Sequence, residues 1–472
     1  MPVDYAGNSL GTARIINVTN SSQVFTDYIS RIDSNDYYKF SLTGRSSFNL
    51  VLNGLTDNVD VRLLNDNGSV IASSTNQRRN AEYVNSTLNA GNYYIQVYRV
   101  QDANTYYNLK VSSSASLDWF EQNIQDTGIR AAARSRFADN MIDRNDMIAI
   151  LRDAKDYGVV DGTELKDLRT LVSNASYLKI PEYVRVLAHK VVNSDPANQK
   201  YQGNTLGNLS VGSSDRQMEN LINKWFLGGD RPQTPYTYQY ASGSLFQNGV
   251  SYSDVKQGDM NDCYLLTGLA ATASSSPSKI ESMFINNGDN TFTVRFYNKG
   301  VADYVTVDRY LPTTAQGYFV YANKGDYYNH SSNELWVALA EKAYAQLNES
   351  GWIYRDNTNS YNGIGNGGYV NDALAQITGY STSFGNPINF SAIVNAVNSG
   401  QLIGLSTKSN TAQNIVSNHA YALLGYNPAS QQFTLFNPWG INNNSTKPGI
   451  VQLNWSEIQT SFNYWDGTIN RA

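Results

Sequence analysis

Gln257-Gly258-Asp259-Met260-Asn261-Asp262-Cys263-Tyr264 runs directly into an apolar stretch, Leu265 to Ala273, and this passage decides how the C-terminal half of the chain is read. The apolar run predicts a helix. Asn261 or Asp262 stands where an N-cap is wanted, which puts Cys263 in the first turn. A helix N-terminus favours negative charge, so that position should lower a thiol pKa and suit a thiolate nucleophile. Cys263 is the only cysteine in the 472 residues. No intramolecular disulfide and no cysteine-ligated zinc site can form. A lone free cysteine is most often a small buried residue, so further features must carry the assignment.

Three features do so. Gln257 precedes Cys263 by six positions, and its amide together with the Cys263 backbone N–H can donate to a developing oxyanion. Asn418-His419-Ala420-Tyr421-Ala422-Leu423-Leu424-Gly425-Tyr426 places a histidine at the head of an apolar strand. Phe433-Thr434-Leu435-Phe436-Asn437-Pro438-Trp439-Gly440 ends the next strand on an asparagine. The two strands are predicted to pair antiparallel, so Asn437 can hold the His419 ring toward Cys263. That is a Cys-His-Asn arrangement for acyl transfer. His189 lies beside the apolar stripe of a helix and reads as structural. His330, in a Tyr- and Asn-rich segment, reads as surface.

At about 150 residues per domain the length suggests three domains. Lys plus Arg is 35 and Asp plus Glu 40, a net charge of −5, which argues against broad nucleic-acid binding. Charged residues make up only 16% of the chain, against about 25% in an average domain, as in many exported bacterial domains. At 41% hydrophobic and 12% aromatic, the chain can still fill a core. No stretch approaches the ~20 apolar residues of a membrane span. The start, Met1 to Asn8, has neither a basic nor an apolar signal region. The compartment stays open: a signal removed, a cytoplasmic protein, or export by another route.

Outward from the cysteine, residues 1–114 read as an all-β sandwich. Tyr38, Phe40 and Leu42 alternate with polar residues, as do Phe48, Leu50 and Leu52. The period continues in Val59, Val61 and Leu63, in Tyr93, Ile95 and Val97, and in Tyr107, Leu109 and Val111. Asn65-Asp66-Asn67-Gly68-Ser69 marks a tight turn. The runs Asn35 to Phe40 and Ala90 to Val97 resemble the bacterial pre-peptidase C-terminal domain, a module that accompanies secreted peptidases. Its acidic turns offer oxygen ligands for calcium but read first as solvated loops. Residues 115–200 form a helical segment. Asp143 with Asp146, and Asp161 with Glu164, look like capping boxes rather than calcium loops, since the D-x-[DN]-x-[DN]-G spacing is missing. Ser194 to Lys200 reads as a linker, and residues 201–472 are mixed α and β.

The Gln-Gly-x-x-x-Asp-Cys-aromatic, His-Ala-Tyr and Asn-Pro-Trp-Gly motifs, in that order, resemble the calpains. Asp303 to Pro312 and the predicted helix from Asn333 to Ala345 agree. The resemblance implies a C-terminal α+β, papain-like calpain protease core behind the β-sandwich and the helical segment. It also implies a calcium-dependent cysteine endopeptidase acting on protein or peptide substrates. Cys263 would be nucleophile, His419 base and acid, Asn437 orienter, and Gln257 part of the oxyanion hole. Gly367, Gly368, Asn418 and Trp439 would meet the substrate. One calcium ion would sit on Asp254 and Glu334 with the carbonyls of Gln247 and Gly249. A second site is not expected, because Ile441 to Trp455 holds no acid. Tyr264 stands where the family usually has Trp, and Asn418 where it usually has Gly. Self-cleavage is expected near Gly128 to Arg136 or Gln199 to Gly203, at exposed joints. Two rival readings are a transglutaminase-like acyltransferase, which would want an acid as third member, and a non-catalytic binding protein on a protease scaffold.

Overall fold

The structure is a computed structural model that describes residues 4–154, 158–441 and 446–469. It divides into two compact units, Met1–Asn123 and Ile124–Ala472.

The first unit is a β-sandwich. One sheet runs in the order Arg14–Ile15, Asn35–Leu42, Gly91–Arg99, Val59–Asn65, Val70–Ser74. The other runs Gln23–Ile29, Thr105–Ala115, Ser46–Asn53, Glu82–Leu88. The alternating residues of the sequence form one core, with Tyr38, Phe48, Leu50, Val61, Ile95 and Leu109 buried. The Asn65–Ser69 turn joins two adjacent strands of the first sheet. Four strands lack a clear period in the sequence. In Glu82–Leu88 the cause is a fully buried acid: Glu82 accepts from the Ser74 hydroxyl (2.5 Å) and the Asn76 N–H (2.9 Å), so a charged residue occupies an inward position.

In the second unit, both capping boxes are built. Asp143 and Asp146 close the N-terminus of the helix Arg144–Asp153, and Asp161 and Glu164 that of Gly162–Ser173. The acids there are spent on backbone N–H groups. The stretch expected to be a linker is packed instead. Asn198 is fully buried, donates to the Lys190 carbonyl (2.7 Å) and accepts from the Trp225 indole N–H (2.7 Å). Its polar sequence conceals an internal hub. The helical segment is bonded to the core in the same unit. Arg144 donates to the Phe226 carbonyl (2.5 Å) and the Asp289 carboxylate (2.9 Å), and Lys190 pairs with Asp303 (2.6 Å).

Around the site stand three helices, Cys263–Ser275, Trp336–Leu347 and Val370–Thr378. Beside them lies a six-stranded sheet whose order is Thr382–Gly385, Phe462–Thr468, Ile403–Thr407, Ala420–Asn427, Gln432–Phe436, Ile450–Leu453, every pair antiparallel. Among the described residues no helix is long and apolar enough to cross a membrane.

Arg144 is 5% exposed, and its removal strands the Phe226 carbonyl. Arg144→Ala should destabilise the second unit by about 2–4 kcal/mol. Denaturant unfolding that leaves the midpoint unchanged would contradict this clamp.

Candidate active site

Cys263 is the first residue of its helix, as the apolar run predicts, and Asp262 is the residue before it. The main chain of Asp262 does the capping work: its carbonyl accepts from Leu265 N–H (2.9 Å) and Leu266 N–H (3.2 Å). Its side chain does not cap. The carboxylate turns inward and accepts from Gln257 Nε2 (3.3 Å). The expected lowering of the thiol is also reversed. Burial pushes Cys263 up to about 11, and the Asp262 charge adds to this. Desolvation of the thiolate outweighs the helix terminus.

His419 is pinned by its own backbone. Its N–H donates to Thr407 Oγ1 (2.8 Å), and its carbonyl accepts from Thr407 N–H (2.8 Å). Asn418 holds φ at +51°, in the left-handed region that glycine favours and asparagine tolerates. That explains an asparagine where the resemblance leads one to expect glycine. The histidine and asparagine strands pair antiparallel with Ala422 opposite Phe436. Asn437 thereby arrives diagonal to His419, and His419 Nε2 lies 2.9 Å from Asn437 Oδ1. The same oxygen accepts the Trp439 N–H (3.1 Å), while Asn437 Nδ2 points to the Pro448 carbonyl (3.5 Å). Two donors on one atom fix it as oxygen. His419 Nε2 therefore carries the proton, and Nδ1 is left as the basic nitrogen. Burial draws His419 down to about 4, with the Asn437 bond opposing.

Gln257 is 9% exposed. Its backbone N–H donates to the Pro438 carbonyl (2.8 Å), which ties the Gln-Gly segment to the Asn-Pro-Trp turn. Its Nε2 donates to the Met260 carbonyl (2.7 Å) and, at longer range, to Asp262. Gly258 follows because a Cβ there would stand 2.1 Å from the Tyr321 carbonyl oxygen.

Cys263, Gln257, His419, Asn418, Trp439 and Gly367 all line one cleft of about 1270 Å³. Asn437 lies beneath it, fully buried. Gly367 has φ +72° and donates its N–H to the Asn261 carbonyl (3.0 Å), beside the cysteine segment. Gly368 is not in the cleft lining. It makes room for Arg355, whose Nη2 would lie 2.1 Å from a Cβ there. Tyr264 is buried, donates its hydroxyl to the Ile364 carbonyl (3.1 Å) and carries Arg355 over its ring. The Trp439 ring centroid lies 5.5 Å from that of His419.

The four residues expected at calcium form a second group. Gln247 N–H donates to Glu334 Oε1 (2.8 Å). Asp254 Oδ2 accepts from Ser251 N–H (2.7 Å) and from the Trp336 indole (3.1 Å). Burial and the neighbouring Asp254 hold the Glu334 carboxyl up at about 7. Of the loop without acids, residues 442–445 lie outside the described residues. His189 and His330 are exposed and away from the cleft lining.

The sequence reading missed Glu341, which faces Asp262 from the helix Trp336–Leu347. In the sequence Glu341 falls inside the predicted helix from Asn333 to Ala345 with nothing to single it out; the burial of every residue of Trp336–Leu347 does so.

Residues 215–463, more than half of the chain, match the calpain family cysteine protease model, and residues 34–99 match the bacterial pre-peptidase C-terminal domain. The calpain-type cysteine protease DEK1 of Zea mays is 27% identical over 267 residues, 46% of this chain and 11% of its own length. The calpain-2 catalytic subunit of Gallus gallus is 28% identical over 235 residues, 44% of this chain and 31% of its own. The chain thus spans less than a third of either relative. The pre-peptidase C-terminal domain of a Bacillus anthracis collagenase aligns with 21% of this chain and 93% of its own, at 19% identity and TM-score 0.19. With its motifs gathered at one cleft and residues 215–463 matched by the family model, the chain belongs to the calpain family of cysteine proteases.

Proposed function

We propose that the chain is an endopeptidase that cleaves peptide bonds through Cys263, His419, Asn437 and Gln257. One observation carries this reading: His419 Nε2 is held 2.9 Å from a buried Asn437 in the wall of the cleft that Cys263 also lines. His419 Nδ1 takes the thiol proton as Sγ attacks the scissile carbonyl. The C–N bond breaks and that proton leaves on the amine, giving a thioester. Water then attacks, its proton passing through His419, and the acid is released. The oxyanion is met by the Cys263 backbone N–H and Gln257 Nε2. The Nε2 hydrogen on the 3.3 Å bond to Asp262 is the weaker-held one and is available to it. Gly367, which lines the cleft with Asn418 and Trp439, offers backbone to an extended substrate. An asparagine as third member, and the absence of an acid at that position, disfavour the transglutaminase-like reading. The intact constellation disfavours a non-catalytic scaffold.

Cys263→Ala should abolish hydrolysis of an unstructured protein such as casein while leaving the fold intact. Asn437→Ala should lower kcat on the order of 10- to 100-fold, because the base loses its orientation and not its identity. Cleavage by Cys263→Ala at the wild-type rate sinks the assignment. The buried His419 stays neutral at pH values where an ordinary histidine is charged, since its pKa is lowered to about 4. The acid limb of kcat/KM should therefore fall below pH 6.5, between the ordinary and the lowered value. A limb above that pH would contradict a buried neutral base.

Calcium is the cofactor this family reading brings with it, and the residues fit. Asp254 and Glu334 are partly buried, each pushed up by burial and Glu334 further by Asp254, and among the described residues they make no ion pair. Hard oxygen donors of this kind, with the carbonyls of Gln247 and Gly249 and with water, suit a cation that takes about six to eight of them. The ion would neutralise the two acids and draw together the loop before Gln257 and the start of the helix Trp336–Leu347. Calorimetric titration of Cys263→Ala should show calcium binding that disappears in Asp254→Ala combined with Glu334→Ala. Unchanged heat in that variant would rule the site out.

Self-processing is narrowed by the fold. Gly128 to Arg136 lies within the helix Thr127–Arg136, a conformation that cannot be threaded extended through a cleft. The Gln199–Gly203 stretch enters a hairpin, Lys200–Tyr201 with Asn204–Thr205, whose tip has Gln202 and Gly203 at positive φ. Fragments sequenced after incubation of the wild type, with Cys263→Ala as control, should begin at this hairpin. A new N-terminus inside 128–136 would contradict the structure.

A further inference from the structure

Glu341 has no part in the steps above, yet it lies directly behind them. Asp262 is 0% exposed and Glu341 1%. The Glu341 carboxylate accepts the Ala322 N–H at 3.0 Å. Asp262 Oδ1 accepts from Gln257 Nε2, while Asp262 Oδ2 is buried and reaches no donor among the described residues. Asp262 and Glu341 lie within hydrogen-bonding reach of each other, Asp262 raising Glu341 and Glu341 lowering Asp262. Two carboxylates can only accept, so a bond between them requires a proton on one. Glu341 is the holder, pushed well up by burial and by Asp262. The groups that face the pair are the Cys263 thiol and the hydroxyls of Tyr264, Tyr321 and Tyr361. Lys342, next along the helix, is turned to Asp308 and the Tyr310 carbonyl. No cation among the described residues neutralises the pair, which leaves the proton to do so.

We propose that Glu341 is a positioning residue. Through the proton it shares with Asp262, it fixes the Asp262 carboxyl as the rest for the Gln257 amide and keeps the two acids at a single negative charge beside Cys263. This rests on Gln257 serving the oxyanion. Without the Glu341 carboxyl, Asp262 carries an unshared charge. It then draws the Gln257 N–H groups to itself and opposes formation of the thiolate.

Two measurements on the full chain test this separately from the role of Gln257. The first is infrared difference spectroscopy at pH 7 between the wild type and Glu341→Gln. The carbonyl stretch of one protonated carboxyl should be present in the wild type and lost in the variant. Its absence overturns the shared proton whatever Gln257 does. The second is peptide hydrolysis per titrated thiol. Glu341→Gln, which can still donate to Asp262 and accept from Ala322, should keep kcat within about threefold. Glu341→Ala should lower kcat about tenfold or more with KM within about threefold. Glu341→Leu, closer in volume, replaces it if the alanine variant does not fold. In a Gln257→Ala background the same substitution should cost clearly less, because the part that acts through that donor is already lost and only the charge beside Cys263 remains. A full additional loss there, or a loss confined to KM, overturns the positioning role. If Gln257→Ala alone leaves kcat unchanged, the oxyanion assignment fails, and the infrared result still decides whether the proton is shared.

Discussion

A helix with no polar face has to be covered on every side, and Cys263–Ser275 is such a helix. From Tyr264 to Ala273 every residue is buried. It lies against Val370–Thr378, Trp336–Leu347 and the histidine strand Ala420–Asn427, so only its ends meet solvent: Ser274 and Ser275 at the C-terminus and the half-buried first residue at the N-terminus. Cys263 is the residue at that end. Burying one helix this completely therefore does two things at once. It nucleates the core by removing apolar surface from water, and it delivers the cysteine to the floor of the cleft. The strand that covers the helix also carries His419, so packing and chemistry share one contact.

Covering the helix forces charge into the interior, and the core handles it by pairing. Lys224 is fully buried and donates to Asp230, to Glu349 (2.6 Å) and to the Lys200 carbonyl (3.0 Å). Lys342 is held by Asp308 and the Tyr310 carbonyl, with Arg231 on the far oxygen of Asp308. Each of these buried cations has an acid and a carbonyl as partners, the arrangement under which a buried charge is tolerated. Asp262 and Glu341 have no such cation among the described residues, and in the proposal above a proton takes its place, one residue from Cys263.

What the sequence made legible followed from period and from single residues with few alternatives. Strict alternation gave five strands of the sandwich, and a lone cysteine, a histidine and an asparagine in motif context gave the cleft. What it concealed were polar residues doing interior work. Glu82 breaks the period of its strand because it is inward and hydrogen-bonded. Asn198 looks like linker and is a hub. Glu341, unmarked within its predicted helix, is buried beside Asp262. Of the two expected caps, Asn261 and Asp262, the second holds the position, but its side chain serves Gln257 rather than the helix N–H groups. In each case local composition reports affinity for water, while the fold supplies other partners that composition cannot display. The thiol was misread for a related reason. Position on a helix is visible in a sequence, but the depth of burial that outweighs it is set by elements more than a hundred residues away.

That depth bears on how the nucleophile is made. With the thiol pushed up to about 11 and the imidazole drawn down to about 4, the isolated groups are both neutral at pH 7. Each shift has the same cause, loss of water around a charge, and each is offset only when the opposite charge forms beside it. In the proposed mechanism thiolate and imidazolium therefore form together, in a single proton transfer, rather than one after the other. Asn437 matters at that moment because its oxygen already accepts the Nε2 proton and stabilises the cation without moving. Trp439, 36% exposed, borders the ring on the cleft side, so a bound peptide displaces water from the histidine. Removing that water strengthens the attraction between the two new charges. On that proposal the site is neutral when idle and becomes charged as substrate fills the cleft, with burial setting both conditions.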